Sequence, residues 1–239
     1  STSNFQLLGL VHGPKTRSWN DGSRFEMGRP SGIRLDSTGG AGYFFAMTAV
    51  LEQAKKVWTE AEIEALPDDG FIHEVVNGEL VMSPKNNFQH EELVAELLTA
   101  LREFAKKNRL GSVSGSNLGC WMHNRNCRAP DISFVCKDRL AKLGFRRTTR
   151  RFLPGAPDLA VEILSPSNTR AEIDERLRDF FASGTQIAWI INPDEECAEV
   201  CHSIEKRQSI GPGGFLDGEH LLPGFRHPLA ELFKEWDWE

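Results

Sequence analysis

Nowhere does the sequence hold the roughly 18 uninterrupted apolar residues that a membrane-crossing helix requires. Hydrophobic residues at 40% and charged residues at 26% are values of an ordinary globular protein, so no membrane association is expected. The opening stretch STSNFQLLGLVHGPK lacks the basic lead and long apolar core of a secretory signal, and a cytoplasmic location is the default expectation. Cysteine is scarce and odd in number: Cys120, Cys127, Cys136, Cys197 and Cys201 occur in a chain of 239 residues, long enough to fold without covalent staples. Reduced thiols are expected. Cys120-x2-His123-x3-Cys127 matches no common zinc spacing, and no second pair of that kind follows. A basic excess is also missing, since the net charge of -6 argues against a surface that is positive all over. The positive charge that exists collects in KDRLAKLGFRRTTRR, where Lys137, Arg139, Lys142, Arg146, Arg147, Arg150 and Arg151 face one acid, Asp138.

Residues 1 to 46 include STGGAG and show neither helical nor strand periodicity, so they are expected to be a poorly ordered extension that need not be native. Regular signals begin just after Met47, and one domain is expected over 47–239. Thr59-x-x-Glu62 is a capping box for a short helix that must stop before Pro67. FIHEVVNGELVMSP places two β-rich runs around Asn77-Gly78, a hairpin signal because both turn positions need positive φ. From about Phe88 to Asn108, Leu93, Leu97, Leu98, Leu101, Phe104 and Ala105 recur at helical spacing, with Gly111 just beyond. Strand signals follow in SVSGSNLGCWM, DISFVC and DLAVEILS, then a helix from about Arg170 to Ser183, then QIAWII and AEVCHSI. A helix between two apolar strands suits a crossover in a mixed sheet, so the expected class is α/β.

One carboxylate is out of place. Glu162 lies inside Leu159-Ala160-Val161-Glu162-Ile163-Leu164, and buried acids are costly unless something pairs with them. Alternate strand residues share a face, so Asp158, Ala160, Glu162 and Leu164 project together. Pro130-Asp131 opens DISFV as Pro157-Asp158 opens DLAVEIL. If the two strands are neighbours, Asp131 and Glu162 become a candidate pair, subject to register. Two carboxylates with the carbonyl of Ile163 and waters make an oxygen-rich site for a hard cation such as Mg2+. Geometry alone leaves open a structural reading, in which Asp131 merely opens a strand and Glu162 pairs with a buried arginine.

HEVVNGELVMSP, Gln89-His90, APDISFV, PDLAVEILSPSN and FFASGTQIAWIINP, in this order over roughly Trp58 to Ile204, resemble the Uma-type family of restriction-endonuclease-like proteins, also filed as a domain of unknown function. That family lies within the PD-(D/E)XK nuclease superfamily. The resemblance implies a restriction-endonuclease-like core with a mixed β-sheet flanked by helices, phosphodiester cleavage with Mg2+ or Mn2+, nucleic acid (DNA favoured) as substrate, and a homodimer. It carries metal-ligand roles onto Asp131 and Glu162, a further acid onto Glu79 with Glu74 a weaker candidate, and a phosphate or metal-bound-water contact onto His90. The superfamily's lysine two residues after Glu162 is replaced by Leu164, and the matching cation on the next helix is Arg176. His73 stands where the family usually has tyrosine. Arg146, Arg147, Arg150 and Arg151 lie between the two acid-bearing strands and are expected near the site, on the phosphate backbone.

Two rivals remain. A nuclease fold that lost catalysis and serves as a binding or regulatory module would also show a missing lysine and an acidic net charge. A glycosidase using Asp131 and Glu162 as acid and base ranks far lower, because no aromatic residues group near either acid.

Overall fold

A computed structural model describes residues 56–238; the expectations for residues 1 to 46 and for a domain start at Met47 lie outside the described residues. Helix α1 (Glu60–Glu64) opens with the expected capping box, Thr59 and Glu62 each binding the other's backbone N–H. Strands β1 (Ile72–Val76) and β2 (Glu79–Ser83) form the hairpin, and Asn77 and Gly78 take φ of 54° and 83° at its turn. Helix α2 (Phe88–Lys107) starts at Asn87, whose side chain accepts the His90 N–H, and buries Leu93, Val94, Leu97, Leu101 and Ala105 on one face.

The expected run SVSGSNLGCWM divides into β3 (Gly111–Gly115) and a two-residue β4 (Cys120–Trp121), which belong to different sheets. Short β5 (Cys127–Arg128) leads into β6 (Ile132–Cys136). The basic segment begins as helix α3 (Lys137–Lys142). After β7 (Leu153–Pro154) come β8 (Leu159–Ile163), α4 (Arg170–Ala182) and β9 (Ile187–Asn192). β10 (Cys197–Cys201), β11 (Arg207–Ile210), β12 (Phe215–Asp217), β13 (Arg226–Pro228) and α5 (Leu229–Leu232) complete the described chain.

The main sheet runs β11-β10-β9-β8-β6-β3, antiparallel throughout except for the β8–β9 pair. Parallel neighbours cannot be joined by a tight turn, and α4 supplies their crossover. A second sheet, β2-β1-β5-β4-β7, and the β12–β13 ribbon accompany it. Alternation along the central strands sorts the core onto two faces. Ile132, Phe134, Leu159, Val161, Ile187 and Trp189 pack with α2, while Val135, Ala160, Ala188 and Ile190 pack with α4, β4 and β7. The result is a mixed α/β fold with mixed sheets flanked by helices, and Glu162 projects toward the α4 side. Among the described residues no helix is long and apolar enough to cross a membrane.

Candidate functional site

The β6–β8 ladder pairs Ile132 with Val161, so its continuation by one residue sets Asp131 opposite Glu162. Asp131 Oδ2 accepts the Ile163 N–H at 2.8 Å, which fixes this register at the site. His90, in the first turn of α2, is buried rather than solvated. Its Nε2 lies 3.0 Å from the Ile163 carbonyl and 3.3 Å from Asp131 Oδ2, a geometry that makes Nε2 the protonated nitrogen. Burial works against charge on the His90 ring, but Asp131, with help from Glu91, outweighs it and raises the pKa.

Glu162 is 7% exposed. Burial pushes its carboxyl up to about 8, with Arg176 pulling the other way and Asp131 and Glu74 adding to the rise. Its Oε1 lies 3.2 Å from Arg176 Nη2 but lacks hydrogen-bond alignment, and among the described residues it has no other partner. Arg176 reaches the site from α4 between Ile173 and Phe180, both buried. Its Nη1 donates to Glu74 Oε2 at 2.6 Å and its Nη2 to the Ala129 carbonyl at 3.3 Å. Burial alone would lower the Arg176 pKa; Glu162 and Glu74 reverse that, so the guanidinium stays charged.

Glu74, on β1, holds this group in place. Its Oε1 accepts the Ala129 N–H at 2.7 Å, and its Oε2 also lies 3.5 Å from Arg128 Nη1. Arg128 Nε in turn donates to Asp179 Oδ2 at 2.7 Å, and Asp179 accepts from Asn124 and Asn126. A chain of alternating charge therefore runs from Asp179 through Arg128, Glu74 and Arg176 to Glu162. Sequence reasoning missed Arg128 and Asp179. The available signal was Asp179 itself, an acid between Leu177 and Phe180 on the apolar side of α4.

These residues open onto a cavity of about 270 Å³ lined by Glu74, Asp131, Glu162, Ile163, His90 and Arg176. The order assigned to the further acids is reversed, because Glu79 is exposed beside the hairpin turn and does not line the cavity, whereas Glu74 does. The placement of the basic segment is also corrected. Antiparallel neighbours joined end to end return at the far end, so the chain leaves β6 at Cys136, roughly 16 Å of strand away from Asp131. Arg146, Arg147 and Arg151 instead border a separate groove with Arg102 and Phe145, and Arg150 is exposed. Leu164 turns its side chain into the apolar cluster beneath α4.

Among the described residues no three His, Cys, Asp or Glu side chains converge as a ligand set. Two carboxylates in register, one carrying a buried oxygen without a hydrogen bond, and a carbonyl with a spare lone pair nevertheless fit a hard cation completed by water.

A family model named Uma2 and described as "Putative restriction endonuclease" matches residues 60–230. The chain belongs to the Uma2 family. By that membership it is a restriction-endonuclease-like nuclease. Its fold is similar to a crystal structure described as a "putative nuclease belonging to DUF820" from Anabaena variabilis ATCC 29413, with a TM-score of 0.64 and 21% identity, covering 72% of this chain and 96% of that one. At that identity the likeness speaks for the architecture alone. No match was found among curated proteins.

Proposed function

We propose that this Uma2 protein is a divalent-metal-dependent endonuclease that hydrolyses phosphodiester bonds in DNA, using one domain over residues 47–239. The observation that carries the reading is the pairing of Asp131 and Glu162 across β6 and β8 with Arg176 beside them. Asp131 and Glu162, with the Ile163 carbonyl, would hold Mg2+ or Mn2+. Such a cation lowers the pKa of water and neutralises charge on a phosphoryl oxygen. His90 orients Asp131 and the Ile163 carbonyl through its Nε2–H. Arg176, which stays protonated at any working pH, stabilises negative charge on the phosphoryl group and is no general base.

One acid pair per chain cuts one strand at a time, so a homodimer is the assembly that suits cleavage of a duplex. The same reading places the protein in the cytoplasm, where its five free cysteines would stay reduced. The test is cleavage of single- and double-stranded DNA, and of RNA, with Mg2+, Mn2+ or chelator. DNA cleavage that needs the metal and is lost in Glu162→Ala is expected. A second reading, a retired nuclease that only binds, draws on the engagement of Arg176 by two carboxylates; metal binding without cleavage would favour it.

A further inference from the structure

Arginine is paired with acid over much of the described chain: Arg128, Arg139, Arg170, Arg176, Arg207 and Arg226 each have a carboxylate partner. Arg102, Arg146, Arg147 and Arg151 have none among the described residues, although the chain is acidic overall, with a net charge of -6. These four line one groove of about 480 Å³, and no acid lines it with them. Four like charges around one concave space repel each other, and an anion seated among them relieves that repulsion.

Two of the four are held in place by the backbone. Arg102 Nη1 donates to the Val113 carbonyl at 3.1 Å, and Arg151 Nη2 to the Leu143 carbonyl at 3.3 Å. Arg151 also lies over the Phe145 ring, 5.1 Å from its centroid, so the two side chains form a stack. A second, separate observation is that the floor is apolar: Leu118, Leu140 and Phe145 are only partly buried there, beside Val135 and Leu153. An inorganic anion would leave that floor to water. A flat ring system joined to a phosphate suits floor and rim together, since bases stack on aromatic side chains and on guanidinium planes alike.

The groove and the acid cavity also share a face of the main sheet. Alternation along β6 puts Asp131, Ser133 and Val135 on that face, with Asp131 in the cavity and Val135 in the groove floor. The strand between them is about 13 Å long. A stacked nucleic-acid strand covers that span in about four nucleotides, and an extended one in fewer. A shallower groove along α2, which includes Glu91 and Leu98, shares Ser114 and Leu118 with the arginine groove. It leads to the first turn of α2, where His90 lines the acid cavity.

We propose that the arginine groove takes one unpaired nucleotide of the nucleic-acid strand that enters the acid cavity. Its base rests on the apolar floor and the Arg151–Phe145 stack, and its phosphates lie among Arg102, Arg146 and Arg147. The inference rests on the nuclease reading and deepens it, because it requires a substrate that offers a base outside a double helix near the cut.

The test uses the full chain in chelator and three fluorescently labelled probes followed by anisotropy: a short oligothymidylate, an abasic strand of the same length, and a blunt duplex. The first two carry the same phosphates and differ only in the bases. The wild type is expected to bind the oligothymidylate about tenfold more tightly than the abasic strand. Phe145→Ala should lose that tenfold while binding the abasic strand and the duplex as the wild type does, and Phe145→Tyr should keep most of it. Arg102→Gln should reduce the log-log salt slope by about 0.7 on both single strands. Arg178→Gln, the same charge change at an exposed position of α4 outside the groove, should alter neither quantity. Equal binding of the two single strands by the wild type would overturn the inference and leave the nuclease reading standing. So would an equal loss on both strands in Phe145→Ala, or a wild-type slope in Arg102→Gln. Failure of the wild type to bind any of the three probes would overturn the nuclease reading and this inference with it.

Discussion

Arg176 and Glu74 are 102 positions apart in the chain, yet Arg176 Nη1 meets Glu74 Oε2 at 2.6 Å inside the fold. The ion pair ties the crossover helix α4 to the hairpin strand β1 and holds the guanidinium beside Glu162. On the proposed function, the charge that a lysine would supply from the strand would come from the helix, and Leu164 packs into the apolar cluster.

Arg176→Ala is expected to abolish cleavage while Mn2+ affinity stays near the wild-type value, as read by single-turnover kinetics and calorimetry. Arg176→Lys should keep part of the rate. The alanine substitution also takes from Glu74 its shortest ion pair and leaves it Arg128 at 3.5 Å, so the melting temperature should fall as well. Adding Leu164→Lys to Arg176→Ala returns a cation to the strand and should recover activity. Wild-type cleavage by Arg176→Ala alone would show that the cation has no such role.

Asp131→Ala and Glu162→Ala should each remove the heat of Mn2+ binding in a titration. Unchanged binding in both variants would sink the metal assignment.

Stability of the metal-free protein should fall as pH rises from about 5 to about 8. The folded protein keeps the Glu162 proton up to about pH 8, whereas the unfolded chain releases it near the ordinary value of 4.5. Between those values the folded state binds more protons, so raising the pH favours unfolding. Glu162→Gln removes this contribution and should melt above the wild type at the upper end of the range, with the two curves meeting at the lower end. A pH series of melting curves decides it; a gap between the two proteins that narrows with pH would refute the buried acid as its source.

Neutralising Arg146, Arg147, Arg150 and Arg151 together should reduce the salt slope of DNA binding by about 0.7 to 0.9 for each phosphate that these arginines no longer neutralise. Since the segment leaves the sheet at the end away from Asp131, the rate of cleavage at saturating DNA should change little. A fall in that rate with unchanged affinity would mean that these arginines reach the site after all.

Local signals carry the elements that are legible in the sequence. The capping box at Thr59, the Asn77-Gly78 turn and the spacing of Leu93, Leu97 and Leu101 each depend on neighbours within a few residues. Asp131 and Glu162 are legible because an acid in an apolar strand is expensive wherever that strand goes. Glu74 ranks below Glu79 on sequence because both sit in the same hairpin, and only the β1–β5 pairing of Val75 with Cys127 turns Glu74 inward. The arginine segment is misplaced by sequence reasoning for a topological reason, since the acid-bearing strands can be read as neighbours but their antiparallel sense cannot. Arg128 escapes notice because a two-residue strand has no periodicity to read.

The composition of the site from Glu74, His90, Asp131, Glu162 and Arg176 also has a bearing on the life of the newly made chain. Synthesis proceeds from the N-terminus, so the hairpin and α2 emerge well before α4, and β9, which flanks β8 in parallel, emerges later still. Contacts that span a hundred residues form late, after the chain has met their loop-closure cost. A ribosome-bound fragment ending before α4 would carry the three cavity acids, Glu74, Asp131 and Glu162, and lack Arg176. On the proposed chemistry, the nascent protein is thus harmless to the cell's own nucleic acid until most of it has been made.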